Sequence, residues 1–338
     1  MNTNQKLCVA VIGLSVGVLM SNFLLQKQNA LNFLKNNIKK LAYTTRKTAS
    51  ESTVNKEMQQ NKPAMLIDQA KMICHKAKTG IVAVTMVNEA YLEMTYSWLC
   101  NTVNMNVHEQ VLIIATDEKA LKKLRRDWPN VTSVMYSLST TKVEYMEAGY
   151  IRYMLTRTML LLSMLKNNVT ILLFEVDAVW FSSPFPLLQS LSKYDIVGAK
   201  ISGNNRIAGG FLLLQPTNAT QVVFTKVIDK LNAFLETYSN VTDDKKLPDG
   251  SNDQTYLHEI IVSQHNLKYK LLDFNIIEDG LWYLRSHNYS TETRPLVLNN
   301  NYVIGNEVKI ARAKKFGHWF LNSNNSCDLE NVRKMTRN

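Results

Sequence analysis

Apolar and polar positions change rhythm at Thr79. Downstream, short apolar runs alternate with longer stretches of helical period. Residues 81–87, 111–116 and a short run near Val134 predict strands, and residues 91–103, 118–128 and about 146–166 predict helices. Asp117 stands where it can cap the second helix, and Pro129 where it can stop it. Residues 169–174 are almost unbroken in apolar character, the pattern of a strand buried on both faces of a parallel sheet. The strand and helix alternation predicts an α/β fold whose mainly parallel sheet is sandwiched by helices. No internal repeat is visible.

Upstream the texture differs. Residues 8–25 form an uncharged apolar stretch of about the shortest length that spans a bilayer, after a short tail of residues 1–7. A transmembrane signal anchor is the expectation there, with a cleaved signal peptide and a soluble apolar helix as the alternatives. Lys6 precedes the stretch and Lys27, Lys35, Lys39 and Lys40 follow it, so a literal positive-inside count would leave the body in the cytosol. Residues 26–77, rich in Lys, Asn, Gln, Thr and Ser, read as an extended or loosely helical stem. The catalytic-type domain is expected over 78–325, with a C-terminal tail at 326–338.

At 338 residues and 46% hydrophobic the chain can bury one large core. Its net charge of +11 is scattered, and its basic residues are not interleaved with aromatics as a nucleic-acid platform requires. The charge therefore points to small anions and acidic membrane surfaces, and away from nucleic acid. Cys8, Cys74, Cys100 and Cys327 show no zinc spacing. With Cys8 in the apolar segment, the remaining three allow at most one disulfide, whose pairing stays open. Sequons at Asn130, Asn168, Asn218, Asn240, Asn288 and Asn324 are about as many as chance supplies, and Asn168 abuts the proposed buried strand, where a glycan is hard to place. There is no GxGxxG after the first strand, no Walker loop and no HExxH, so hydride transfer, ATP hydrolysis and zinc proteolysis have no support.

The candidate chemistry lies at the end of the buried strand, in ILLFEVDAVWFSSP, where Glu175 and Asp177 stand two apart. Ligands of parallel sheets bind outside the carboxyl ends of strands. If strand geometry persists, both side chains share a face and two hard oxygens could hold Mg2+ or Mn2+. The bland alternative is two acids at a strand end, one capping the next turn.

The flanks carry a resemblance. RTMLLLSMLKNNVTILLFEVDAVWFSSP, beginning at Arg157, is similar to the acidic block of the nucleotide-diphospho-sugar transferase family typified by plant cell-wall xylosyl- and arabinosyltransferases. GGFLLLQPT from Gly209, SNDQTYLHEII from Ser251 and LNNNYVIGNEVKIAR from Leu298 resemble further blocks of that family in its order, and IVAVTMVNEAY with Ser97-Trp98-Leu99 resembles its opening strand and helix. The resemblance covers residues 79–320.

It implies a GT-A-like fold of the Rossmann type, with a mixed, mainly parallel sheet, a divalent cation (Mn2+ or Mg2+), and retaining transfer from a UDP-sugar to a glycan or glycoprotein. The setting would be the Golgi lumen, as a single-pass type II membrane protein. Asp177, Glu175 and Asn299 would hold the metal, and Asp253 and Gln254 would face the sugar. Thr85, Asn88, Arg157, Glu175, Gly209, Gly210, Lys309 and Arg312 would bind the donor, with Lys309 and Arg312 neutralising the diphosphate. The bland counterparts are a solvated charge at Arg157, a turn at Thr85 and Asn88, a helix-start acid at Asp253, and a bulge at the glycine pair. Three positions depart from the family: Glu175 for Asp, Ala208 for an Asn, and Asn299 for the metal-site His. They motivate the alternative of an inactive binding or scaffold protein on the same fold.

Overall fold

The computed structural model describes residues 53–138, 144–203, 205–285 and 294–336, with side chains from residue 63. The expected anchor at 8–25 and the tail before it lie outside the described residues. Among the described helices none is long and apolar enough to cross a membrane. Contacts divide the chain into residues 1–59 and 60–338.

A seven-stranded sheet organises the larger unit. Strands β1 (Val82–Val87), β2 (Val111–Ala115) and β3 (Thr132–Met135) are followed by β4 (Ile171–Phe174), β6 (Ile196–Lys200), β7 (Ile207–Leu214) and β8 (Tyr269–Leu272). Their order across the sheet is β3-β2-β1-β4-β7-β6-β8. All neighbours are parallel except β7, which runs antiparallel to both β4 and β6. The sheet is thus mixed and mainly parallel. A small second sheet joins β5 (Val179–Trp180), β9 (Ile277–Glu278) and β10 (Val297–Leu298).

Alternation along each strand explains the layers. Val82, Val84, Leu112, Ile114, Ile171 and Leu173 face one way and are buried. They meet α1 (Thr53–Lys76), α4 (Ala148–Lys166), α6 (Asn218–Thr237) and α7 (Asp253–Ser263). Ala83, Val87, Val111, Ile113, Leu172 and Phe174 face the other way, onto α2 (Leu92–Asn101), α3 (Glu118–Asp127) and α5 (Phe185–Ser190). Every residue of β1, β2 and β4 is buried, which is why these strands read as continuous apolar runs. The remaining helices are α8 (Asn306–Lys315) and α9 (Leu329–Met335).

Asp117 caps α3 as expected, its carboxylate accepting from the Ala120 amide at 2.8 Å. The expected stem needs correction at its end. Leu66, Ala70 and Ile73 of α1 are buried in the core, so the folded unit takes in residues upstream of 78. They lie at i, i+4 and i+7, one helical stripe that the Lys- and Gln-rich composition around them concealed. The cysteine pairing also resolves: Cys100 at the end of α2 is bonded to Cys327, and Cys74 is free. Asn168 proves exposed, on a left-handed turn (φ 63°) between α4 and β4.

Candidate functional site

The chain leaves β4 at Phe174 and turns at once, with the Ala178 amide donating to the Glu175 carbonyl at 3.2 Å. Strand geometry therefore does not persist through the acid pair, and the expected shared face is corrected: Glu175 and Asp177 have different partners. The turn is anchored just beyond. The buried Asn101 side chain accepts from the Trp180 amide at 2.7 Å and donates to its carbonyl at 2.9 Å.

Arg157 reaches Glu175 from α4. Its guanidinium donates to Glu175 Oε1 at 2.5 Å through one nitrogen and to Asp253 Oδ2 at 2.7 Å through another. One planar fork thus ties the acidic turn to the first residue of α7. Burial alone would lower the pKa of Arg157, but the fields of Glu175 and Asp253 outweigh it and hold the cation firmly charged. The Glu175 side chain is 38% exposed, yet its surroundings are dense enough that burial raises its carboxyl pKa against the pull of Arg157. The solvated-charge reading of Arg157 is excluded by its burial.

Asp177 takes the second cation. Lys309 Nζ on α8 lies 2.6 Å from Asp177 Oδ2, and both side chains are largely buried. Burial works to discharge the lysine, and Asp177 more than offsets it. Arg312, one turn on, does not join this pair. Its N–H groups go to Asn300 Oδ1 at 2.7 Å, the Asn301 carbonyl at 2.5 Å and the Gly280 carbonyl at 3.4 Å, with its plane 4.5 Å from the Tyr283 ring. Arg312 thus braces the 299–301 segment. Gly280 is required there, because a Cβ would sit 2.0 Å from the Asn301 carbonyl oxygen.

Antiparallel pairing of β10 with β5 sets Leu298 against Val179, and so runs Asn299 and Asn300 back past Ala178 and Asp177. A cleft is lined there by Asp177, Asn300, Lys309 and Trp319. Asn299 Oδ1 is buried without a hydrogen-bond partner. No group of three His, Cys, Asp or Glu side chains that could hold a metal occurs among the described residues. A cation here would thus depend on Glu175, Asp177 and the orphaned amide oxygen of Asn299. That all-oxygen set fits a hard ion such as Mg2+ or Mn2+.

Gln254 and the glycine pair meet beside Glu175. The Gly209 amide donates to Gln254 Oε1 at 2.8 Å, which fixes the side-chain amide and leaves its NH2 as the free end. A Cβ on Gly209 would press on Gln254 at 3.2 Å, and one on Gly210 on Glu175 Cγ at 3.0 Å. The glycines therefore permit close approach, and they also mark a bulge, since the pairing of β7 with β6 shifts register across them, from Leu212 opposite Gly198 to Ile207 opposite Lys200. Ala208 is buried in the core. Thr85 is buried inside β1, in register with Ile113 and short of the strand end, whereas Asn88 follows the strand directly.

Three tyrosines that the sequence reading passed over stand around these charges. Tyr91, Tyr150 and Tyr153 have pKa values raised, first by burial, and each feels Arg157 and Glu175. Tyr150 and Tyr153 sit seven and four residues before Arg157, on its own helical stripe, and that spacing could have found them.

A family model described as nucleotide-diphospho-sugar transferase matches residues 106–313, more than half of the chain. By class the protein is a glycosyltransferase that draws on a nucleotide-sugar. The chain belongs to the nucleotide-diphospho-sugar transferase family. Among curated relatives, the UDP-D-xylose:L-fucose alpha-1,3-D-xylosyltransferase MGP4 of Arabidopsis thaliana is 25% identical over 271 residues, 74% of this chain and 73% of its own. The beta-arabinofuranosyltransferase RAY1 of the same plant is 22% identical over 265 residues, 72% of this chain and 48% of its own. Among solved structures, the glycosyltransferase GlyE of Streptococcus pneumoniae aligns at 15% identity and a TM-score of 0.43, over 69% of this chain and 59% of its own.

Proposed function

We propose that this chain moves a sugar of the xylose, arabinose or galactose class from UDP to a hydroxyl of a glycan or glycoprotein, with retention of anomeric configuration. The observation that carries the reading is the Arg157 fork, which joins the acidic turn to Asp253 and so assembles two distant sequence blocks into one charged cleft. Xylose is the first donor to test because relatives that match most of the chain are named as xylosyltransferases.

Glu175, Asp177 and Asn299 would hold Mg2+ or Mn2+, which when bound supplies positive charge against the departing diphosphate. Lys309 adds a fixed cation at the same place. Asp253, held by Arg157, is placed to accept hydrogen bonds from donor-sugar hydroxyls, and the free NH2 of Gln254 to donate one. The bond from the anomeric carbon to the diphosphate oxygen breaks, a bond to the acceptor oxygen forms, and the acceptor proton passes to the departing diphosphate. Retention is favoured because each acid of the cleft is already paired with a cation, so none stands free as a base on the opposite face.

The bond between Cys100 and Cys327 supports placement in an oxidising compartment, which suits a Golgi-lumenal domain on a type II anchor. The five sequon asparagines among the described residues, Asn130, Asn168, Asn218, Asn240 and Asn324, are all exposed and compatible with that setting. The scaffold alternative is favoured by Ala208, which offers the sugar no polar atom.

The test is a screen of UDP-sugars with Mn2+ or Mg2+, read as UDP release, beside Asp177→Asn. Turnover that is unchanged in Asp177→Asn would remove the metal role. UDP binding without turnover of any donor would favour the scaffold reading.

A further inference from the structure

We propose that Lys309 is a resident counter-ion that keeps a free divalent cation off Asp177, so that the cation enters with a nucleoside diphosphate and not ahead of it. The inference rests on Asp177 being a cation ligand, as in the reading above. Lys309 Nζ already occupies Asp177 Oδ2 at 2.6 Å, in a contact largely closed to solvent. The lysine is held at its root as well: its amide donates to the Gly305 carbonyl at 3.2 Å and its carbonyl accepts from Asn300 Nδ2 at 2.9 Å.

A hard cation binds a carboxylate oxygen at roughly 2.0–2.1 Å for Mg2+. An ion on Asp177 would therefore stand beside Nζ on the same small carboxylate, two positive centres where solvent screens little. Formal charge points the same way. Glu175, Asp177 and Asp253 oppose Arg157 and Lys309, so the cleft is one negative charge from balance. A divalent cation alone overshoots to net positive. A diphosphate arriving with it makes the site negative again, and gives Nζ a new anion when it leaves Asp177.

Cation and nucleotide should then bind as a linked pair, each tightening the other by the same factor. Calorimetry with Mn2+ and UDP as probes tests this on the whole 60–338 unit within the full chain. In the unmodified protein, saturating UDP should tighten Mn2+ binding at least tenfold. Lys309→Met and Lys309→Gln should bind Mn2+ alone at least tenfold more tightly than the unmodified chain and lose most of the linkage. Where UDP itself binds, equal Mn2+ affinity with and without it in the unmodified protein would overturn the proposal. So would Mn2+ affinities within threefold between the folded variants and the parent. If neither variant folds, as judged by circular dichroism, the linkage in the unmodified chain decides alone. If UDP never binds, the glycosyltransferase reading fails, and the variants' affinity for Mn2+ alone still decides the part of Lys309.

Discussion

Acid should unfold this protein through His318 more than through any other described histidine. The imidazole is 4% exposed, is ringed by Phe181, Trp282 and Phe316, and has Nδ1 3.0 Å from the Tyr283 hydroxyl. Burial, with a smaller push from Arg294, lowers its pKa from 6.5 to about 3. Because the folded value lies below the unfolded one, neutral His318 stabilises the fold fully above about pH 6.5, and that contribution drains away as pH falls toward 3. Each pH unit within that window costs about 1.4 kcal/mol, so acidification from neutrality to about pH 5 should remove roughly 2 kcal/mol through this group. His108 and His258 are shifted down as well, so the parent's slope alone is ambiguous. The discriminating comparison is His318→Gln, which keeps a polar partner for Tyr283 and cannot take the proton. Urea midpoints at about pH 7.5 and pH 5 should fall less in the variant than in the parent, by an amount equivalent to about 2 kcal/mol. Parallel falls in the two proteins would refute the reasoning.

Arg157→Met should leave Glu175 and Asp253 without their shared cation and cost roughly 3–5 kcal/mol, measured by chemical denaturation, with UDP-sugar turnover lost as well. Arg157→Lys should recover part of the stability but little turnover, since one ammonium cannot span both carboxylates as a planar fork does. Gly280→Ala should destabilise by about 1–3 kcal/mol or more, because its Cβ meets a backbone carbonyl that cannot yield like a side chain, and thermal melting reads this out. Cys327→Ser should cost about 2–5 kcal/mol of stability, and the parent should run faster than the variant on non-reducing gels.

Much of the sheet was legible because β1, β2 and β4 are buried on both faces, and full burial writes itself as an apolar run. The reversal of β7 was not, since β7 is equally apolar and strand direction leaves no mark on composition. Within the site, Arg157 and Asp253 could be named from their blocks, but the single fork joining them depends on where α4 and α7 cross. The contacts of Arg312 were equally hidden. Its spacing from Lys309 suggested a shared duty, whereas the polar atoms it meets are backbone carbonyls and Asn300, which sequence spacing cannot display. The turn at Glu175 was likewise hidden, because a tripeptide of acid, Val and acid suits a strand as well as a turn.

The bond between Cys100 and Cys327 closes a covalent ring that contains Arg157, Glu175, Asp177, Asp253, Gln254, Asn299 and Lys309. Cys327 also follows all of them in chain order, so during synthesis the ring closes only after the last cleft residue has been made. Its formation therefore reports on assembly already achieved. A chain whose α8 or 299–301 segment has gone astray presents Cys327 far from Cys100, and leaves both thiols unpaired. The clasp in this way doubles as a checkpoint, separating finished molecules from failed ones by two sulfhydryls beyond that of Cys74.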